Sequence, residues 1–106
     1  MALDKPIPLT PRLRAAIERD FAERDRAGAI HSLERVDLGD WKSTEAPVGR
    51  ERVLAAIIEL ARGDDGRLWA AIQDAERDWR DVLVWAGLGN GDWPELLEER
   101  LGPEIP

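Results

Sequence analysis

The chain has 106 residues, a formal charge of −7 and no cysteine, which bounds it to one domain without disulfides, thiolate catalysis or cysteine-ligated metal. Hydrophobic residues make up 43% and charged residues 35%, a balance that favours a folded globular protein over a disordered one. The 22 acids are interleaved with the basic residues instead of leaving a basic face, which argues against nucleic acid as a partner.

Residues 1–9 hold two prolines and no periodic pattern, and read as an extended arm. The start, Met1-Ala2-Leu3-Asp4-Lys5-Pro6, lacks a basic segment followed by an apolar run, so a signal peptide is not expected. No apolar stretch approaches the ~20 residues that span a bilayer, and the expected setting is cytoplasmic with no membrane partner.

Thr10-Pro11 is a helix start: the hydroxyl can cap a free amide, and a proline at the first helical position loses no bond. Leu13, Ile17 and Phe21 then share one side of a helix expected to reach Ala27 and stop at Gly28. Residues 29–48 are expected to be a long connection punctuated by Gly39, Asp40 and Pro47, in which Ile30, Leu33 and Val36 either make a short helical face or lie in extended chain. Connections of that length without structure are uncommon in compact domains and are sometimes functional.

From Gly49 the pattern firms. Val53, Leu54, Ile57, Ile58 and Ala61 give a helix a broad apolar face, and Gly63 stops it. Asp64 or Asp65 can cap the next helix, expected from Gly66 to Ala86, in which Leu68, Ile72, Ala75, Trp79, Val82 and Ala86 recur at alternating steps of four and three. That is the seam of a helix that buries one stripe. Gly87-Leu88-Gly89-Asn90-Gly91 breaks it. Asp92 as cap, Pro94 in the first turn and Glu95 open a last short helix that buries Leu96, Leu97 and Leu101 and ends at Gly102. The expected fold is all-α, a small irregular bundle of about four helices with a long connection between the first and second.

The block Asp78-Trp79-Arg80-Asp81-Val82-Leu83, together with Arg52-Val53-Leu54-Ala55-Ala56-Ile57 and the Gly-Asp break between them, resembles small uncharacterised bacterial helical proteins that share an Asp-aromatic-Arg-Asp-Val-Leu block. The resemblance covers residues 50–88 and implies a bacterial cytosolic helical domain. It carries no activity and no site residues.

Three sets of residues are candidates for function. Trp79 lies on the seam and is expected in the core, whereas Trp69 and Trp85 lie off it by roughly 100° to either side, because each helical residue advances by that angle. With Trp41 in the uncertain connection, they are the candidate anchors of a protein interface, where a rigid ring buries a large area at small entropic cost. The plainer reading is that the rings roof a small core. Asp74, Asp78 and Asp81 fall on one helical edge at spacings of four and three and are the candidate ligands of Mg²⁺ or Ca²⁺, with Glu59 as a donor from the preceding helix. Arg77 and Arg80 stand in the same turns, and pairs such as Glu76–Arg80 and Arg77–Asp81 suggest a solvated, self-neutralised face instead.

The single histidine, His31, has Glu34 one turn away but no further ligand to build a zinc site, and reads as surface. The glycine-rich run 87–91 follows a helix, where a dinucleotide fingerprint follows a strand, so it reads as a turn. No catalytic motif and no cofactor is expected. The leading function is a protein-interaction or self-association module using a tryptophan-rich helical surface. The alternatives are a carboxylate-metal enzyme or sensor, and a small-molecule domain with an apolar pocket between the tryptophan helix and Val53–Ala61.

Overall fold

The structure is a computed structural model that describes residues 5–38 and 48–102. Among the described residues all regular structure is helical, in six segments: α1 (Pro11–Asp20), α2 (Glu23–Glu34), α3 (Val48–Ala61), α4 (Asp65–Arg77), α5 (Trp79–Trp85) and α6 (Trp93–Leu101). No described helix is long and apolar enough to cross a membrane.

The all-α class is as expected, and two of the expected helices are each broken into two. The first break falls at Phe21–Ala22. Phe21 leaves the helix with extended backbone (φ −104°, ψ 145°), and α2 starts immediately afterwards. Arg26 closes the corner by donating from Nε to Phe21 O (3.1 Å) and from Nη2 to Glu18 O (2.9 Å), which satisfies one of the orphan carbonyls at the end of α1. Helix α2 then runs through Gly28 to Glu34, and the expected connection loses its first third to helix. Ala29 and Leu33 are its buried positions.

The second break falls at Asp78. Its backbone is extended (φ −156°, ψ 100°), and its carboxylate accepts from Arg80 N at 3.1 Å, which makes it the N-cap of α5. An aspartate competes for local amides better than it continues a helix. The seam expected from Leu68 to Ala86 therefore turns a corner, with Leu68, Ile72 and Ala75 buried from α4, Val82 from α5 and Ala86 just behind it. Trp79, at the corner, is half-buried against the core and not within it.

Other boundaries follow the local chemistry. Thr10 caps α1 by accepting from Leu13 N (3.4 Å), with Pro11 at its first position. Asp64 caps α4 by accepting from Arg67 N (3.1 Å). Asp92 precedes α6 but makes no side-chain cap bond, contrary to the expected start of that helix.

Helix α3 is the centre. Its apolar positions Val53, Leu54, Ala55, Ala56, Ile57, Ile58 and Ala61 are all buried, so it is covered on almost every side, as a helix apolar all round must be. It packs against α1, α4, α5 and α6, while α2 packs against α1 and α4. The arm is fixed at Ile7, whose amide donates to Glu34 O (2.8 Å), and at Leu9, which is buried.

Arginine side chains close many of the carbonyl ends. Arg50 donates to Val36 O (2.8 Å), Leu33 O (3.3 Å) and Glu34 O (3.4 Å) at the end of α2. Arg100 donates to Ala86 O (2.7 Å) behind α5, and Arg19 to Arg100 O (2.8 Å) near the end of α6. Cationic groups at helix C-termini meet both unsatisfied carbonyls and the negative end of the helix dipole.

Candidate functional site

Helix α5 buries Val82 and Leu83. At 100° per residue the two that follow, Val84 and Trp85, come round to the opposite side, and they are 69% and 55% exposed. On α4, Leu68, Ala71, Ile72 and Ala75 form the buried stripe, which leaves Trp69 67% exposed. These are the large apolar side chains left open to solvent among the described residues. Trp41, the third candidate anchor, lies outside the described residues. Trp93 is half-buried, with the guanidinium of Arg52 lying 4.8 Å from its ring centroid. Arg52 also donates to Leu88 O (2.8 Å), which fixes the glycine-rich turn between α5 and α6.

The three aspartates are not brought to one point. Asp74 pairs with Arg77 at 2.9 Å across one turn of α4. Asp78 accepts from Arg80 Nε (3.0 Å) and Nη2 (3.1 Å) as well as from the Arg80 amide. The Arg80 side-chain hydrogen bonds, then its backbone bond and its charge, hold the Asp78 carboxyl below the usual range. Asp81 lies beyond the helix break on exposed surface. Among the described residues no group of three or more His, Asp or Glu side chains is placed to hold a metal ion. The ion pairs differ from the expected Glu76–Arg80 and Arg77–Asp81 because the break at Asp78 destroys the four-residue register across it.

A groove of about 320 Å³ lies between α2 and α4. Trp69, Ile72 and Val36 give it apolar walls, while His31, Ser32 and Arg35 line its α2 side and Gln73 and Glu76 its α4 side. Arg35 Nη1 donates to His31 Nδ1 and to His31 O, both at 3.1 Å. His31 is exposed, as expected, and Glu34, one turn away, accepts from Arg14 at 3.3 Å. Glu76 Oε2 accepts from the Asp37 amide at 2.9 Å. Val53, Ile57 and Ala61, one wall of the expected small-molecule pocket, are fully buried, and the groove described here opens on the α2 side of α4.

A second recess, strongly polar, is lined by Arg19, Asp20, Glu59 and Arg62. Arg19 and Asp20 pair within it at 2.9 Å. Glu59, expected as a metal donor beside the three aspartates, sits here instead.

Neither the groove nor the recess was visible in the sequence. His31, Ser32 and Arg35 belong to a stretch that reads as connection, and only its helical continuation through α2 sets them opposite Trp69. Compared with known proteins, the chain matches no family model, no curated protein and no solved structure.

Proposed function

We propose that the protein is an interaction module that docks a partner chain, or a second copy of itself, through the Val84–Trp85 face of α5, with Trp69 on α4 as a further anchor. The observation that carries the reading is the exposure of Val84 and Trp85, 69% and 55%, side by side on a seven-residue helix whose opposite face is already committed to the core. Large rings left in water are the side chains that gain most when a partner covers them, and tryptophan is enriched among the residues that dominate interface energies. The acidic surface disfavours nucleic acid in that role and favours a neutral or basic protein surface. A cytosolic setting fits the cysteine-free composition. The catalytic alternative through Asp74, Asp78 and Asp81 has less support, because arginines take up the first two carboxylates.

The test compares the parent with Trp85→Ala, first by sedimentation equilibrium over a wide concentration range and then as bait for proteins of the source cell. A mass that rises with concentration, or a captured protein that binds in a saturable titration, should be lost in Trp85→Ala while its melting temperature stays near the parent's. A parent that stays monomeric and captures nothing the variant fails to capture would sink the reading.

A further inference from the structure

The groove between α2 and α4 has a chemistry of its own, separate from the α5 face. Arg35 is half-buried at its side, and its hydrogen bonds run from Nη1 alone to His31. Nε and Nη2 donate to nothing among the described residues, and no described carboxylate pairs with this guanidinium. A guanidinium only donates, so His31 Nδ1 must accept in the 3.1 Å contact and the ring proton sits on Nε2. The exposed hydroxyl of Ser32 stands one residue along. The α2 wall is therefore a set of donors: the Nε–Nη2 edge of Arg35, His31 Nε2–H and Ser32 Oγ–H.

The rest of the lining is apolar. Trp69 contributes an exposed ring, and Ile72 and Val36 are buried beneath the opening. Glu76 adds the lining's one carboxylate, held through Oε2 by the Asp37 amide (2.9 Å), so an anionic group entering the groove belongs at the α2 wall. The volume, about 320 Å³, is at the small end of the range of ligand sites.

We propose that this groove binds a small monocarboxylate with an apolar body, its carboxylate on Arg35 with His31 and Ser32 as further donors, and its ring or branched chain against Trp69, Ile72 and Val36. Arginine presents paired N–H groups that match a carboxylate edge to edge, and a flat apolar body stacks on an indole. The site shares Trp69 with the proposed docking surface but includes neither Val84 nor Trp85, so Trp85→Ala separates the two readings.

The experiment titrates 3-phenylpropionate, and separately 4-methylvalerate, into ¹⁵N-labelled full-length protein and follows the amide and indole N–H signals. Binding in the groove should shift Trp69 Nε1–H and the amides around Ser32 and Gln73. Trp69→Ala, which removes a mostly exposed ring, should weaken binding by roughly tenfold or more, and so should Arg35→Gln. Trp85→Ala should bind like the parent. The uncharged 3-phenylpropionamide should bind roughly tenfold more weakly than its acid. No shift with either acid up to about 10 mM would overturn the proposal, since affinity weaker than that is not a site. Equal binding of acid and amide would overturn the carboxylate assignment, and shifts centred on Trp85 would overturn the location. The amide comparison uses only the parent, so the proposal stays open to refutation if Arg35→Gln perturbs the end of α2.

Discussion

Arg12 on α1 and Glu51 on α3 form a two-pronged ion pair inside the protein, their side chains 11% and 7% exposed. Arg12 Nε donates to Glu51 Oε2 at 3.0 Å, and Nη2 donates to Oε1. Thr10, the cap of α1, donates its hydroxyl to Oε2 as well. Arg12 Nη1 reaches Gly102 O behind α6 at 3.3 Å. One buried cluster thus ties the start of α1, the first turn of α3 and the end of α6. Each oxygen of the carboxylate is met by a donor, which is the condition under which a buried charge is tolerable.

Removing one partner leaves the other charge buried and uncompensated. Glu51→Ala is expected to cost about 3–5 kcal/mol in urea unfolding, well above a typical surface substitution. A loss below about 1 kcal/mol would show that water reaches Arg12 readily.

The same pair should give stability a pH dependence of known sign. Burial pushes the Glu51 carboxyl up, but hydrogen bonds from Arg12 and Thr10 and the charge of Arg12 outweigh it and hold it below its ordinary value. With the folded pKa depressed, the unfolded chain binds the extra proton first as pH falls. The stabilisation is therefore complete above the ordinary glutamate pKa and is lost as pH drops through the lower folded one. Urea midpoints between about pH 7 and pH 3 should fall more steeply for the parent than for Glu51→Gln. Parallel curves would mean that Glu51 does not titrate with folding.

Arg50 is the other buried cation among the described residues, and its environment is different. It is 8% exposed, and its hydrogen bonds go to three backbone carbonyls at the end of α2 while Nε has no partner. Burial lowers its pKa, partly opposed by the charge of Asp37. Arg50→Met keeps the stem and removes the donors, and should cost about 1.5–3 kcal/mol, as for a hydrogen bond to a charged group. Native-state hydrogen exchange should show the excess opening in the last turn of α2. Uniform acceleration along the chain, with none concentrated there, would count against Arg50 as the lock on that helix end.

How much of this was legible follows from the range of each interaction. Thr10-Pro11, Gly63, Asp64 and Gly102 mark helix ends through bonds to residues a turn away, and those boundaries were readable. The corners at Phe21 and Asp78 were not, because the apolar spacing runs on across both: Ala75, Trp79 and Val82 keep helical steps although the axis turns between them. Periodicity reports which face is buried and is silent on direction. The arginine contacts lie further still, with Arg12 and Gly102 separated by 90 residues and Arg50 and Val36 by 14, and no spacing rule encodes them. Of the candidate site, the outward tilt of Trp69 and Trp85 followed from their offset from the seam. The groove beside Trp69 did not, since it needs α2 to continue through Gly28.

The ranking of core aromatics changes with the corner at Asp78. On an unbroken seam Trp79 would be the costliest ring to remove. The structure leaves it half-buried, whereas Phe21 is 2% exposed between helices. Phe21→Ala should therefore cost about 3–5 kcal/mol and Trp79→Ala less, about 1.5–3 kcal/mol. Chemical denaturation of both variants settles the order, and a larger loss at Trp79 would restore the continuous helix.

Among the described glycines, the one with least room for a side chain is at the end of α3, where Gly63 follows Arg62. Gly63 has φ +76°, and a Cβ there would lie 2.2 Å from the carbonyl oxygen of Asp20 at the end of α1. Gly63→Ala thus meets both a disfavoured left-handed backbone and a backbone atom that cannot rotate away. It should destabilise by more than about 1 kcal/mol, with α1 forced off α3. Arg62 is the opposite case: it already carries a side chain at φ 49°, at a cost of about 1–2 kcal/mol. Glycine there relieves that strain while adding about 0.5–1 kcal/mol of unfolded-chain entropy, so Arg62→Gly should match or slightly exceed the parent in thermal unfolding. Marked destabilisation by Arg62→Gly would mean that its side chain holds the charged recess beside Arg19, Asp20 and Glu59 together, and tolerance of Gly63→Ala would mean that α1 and α3 sit further apart than this contact requires.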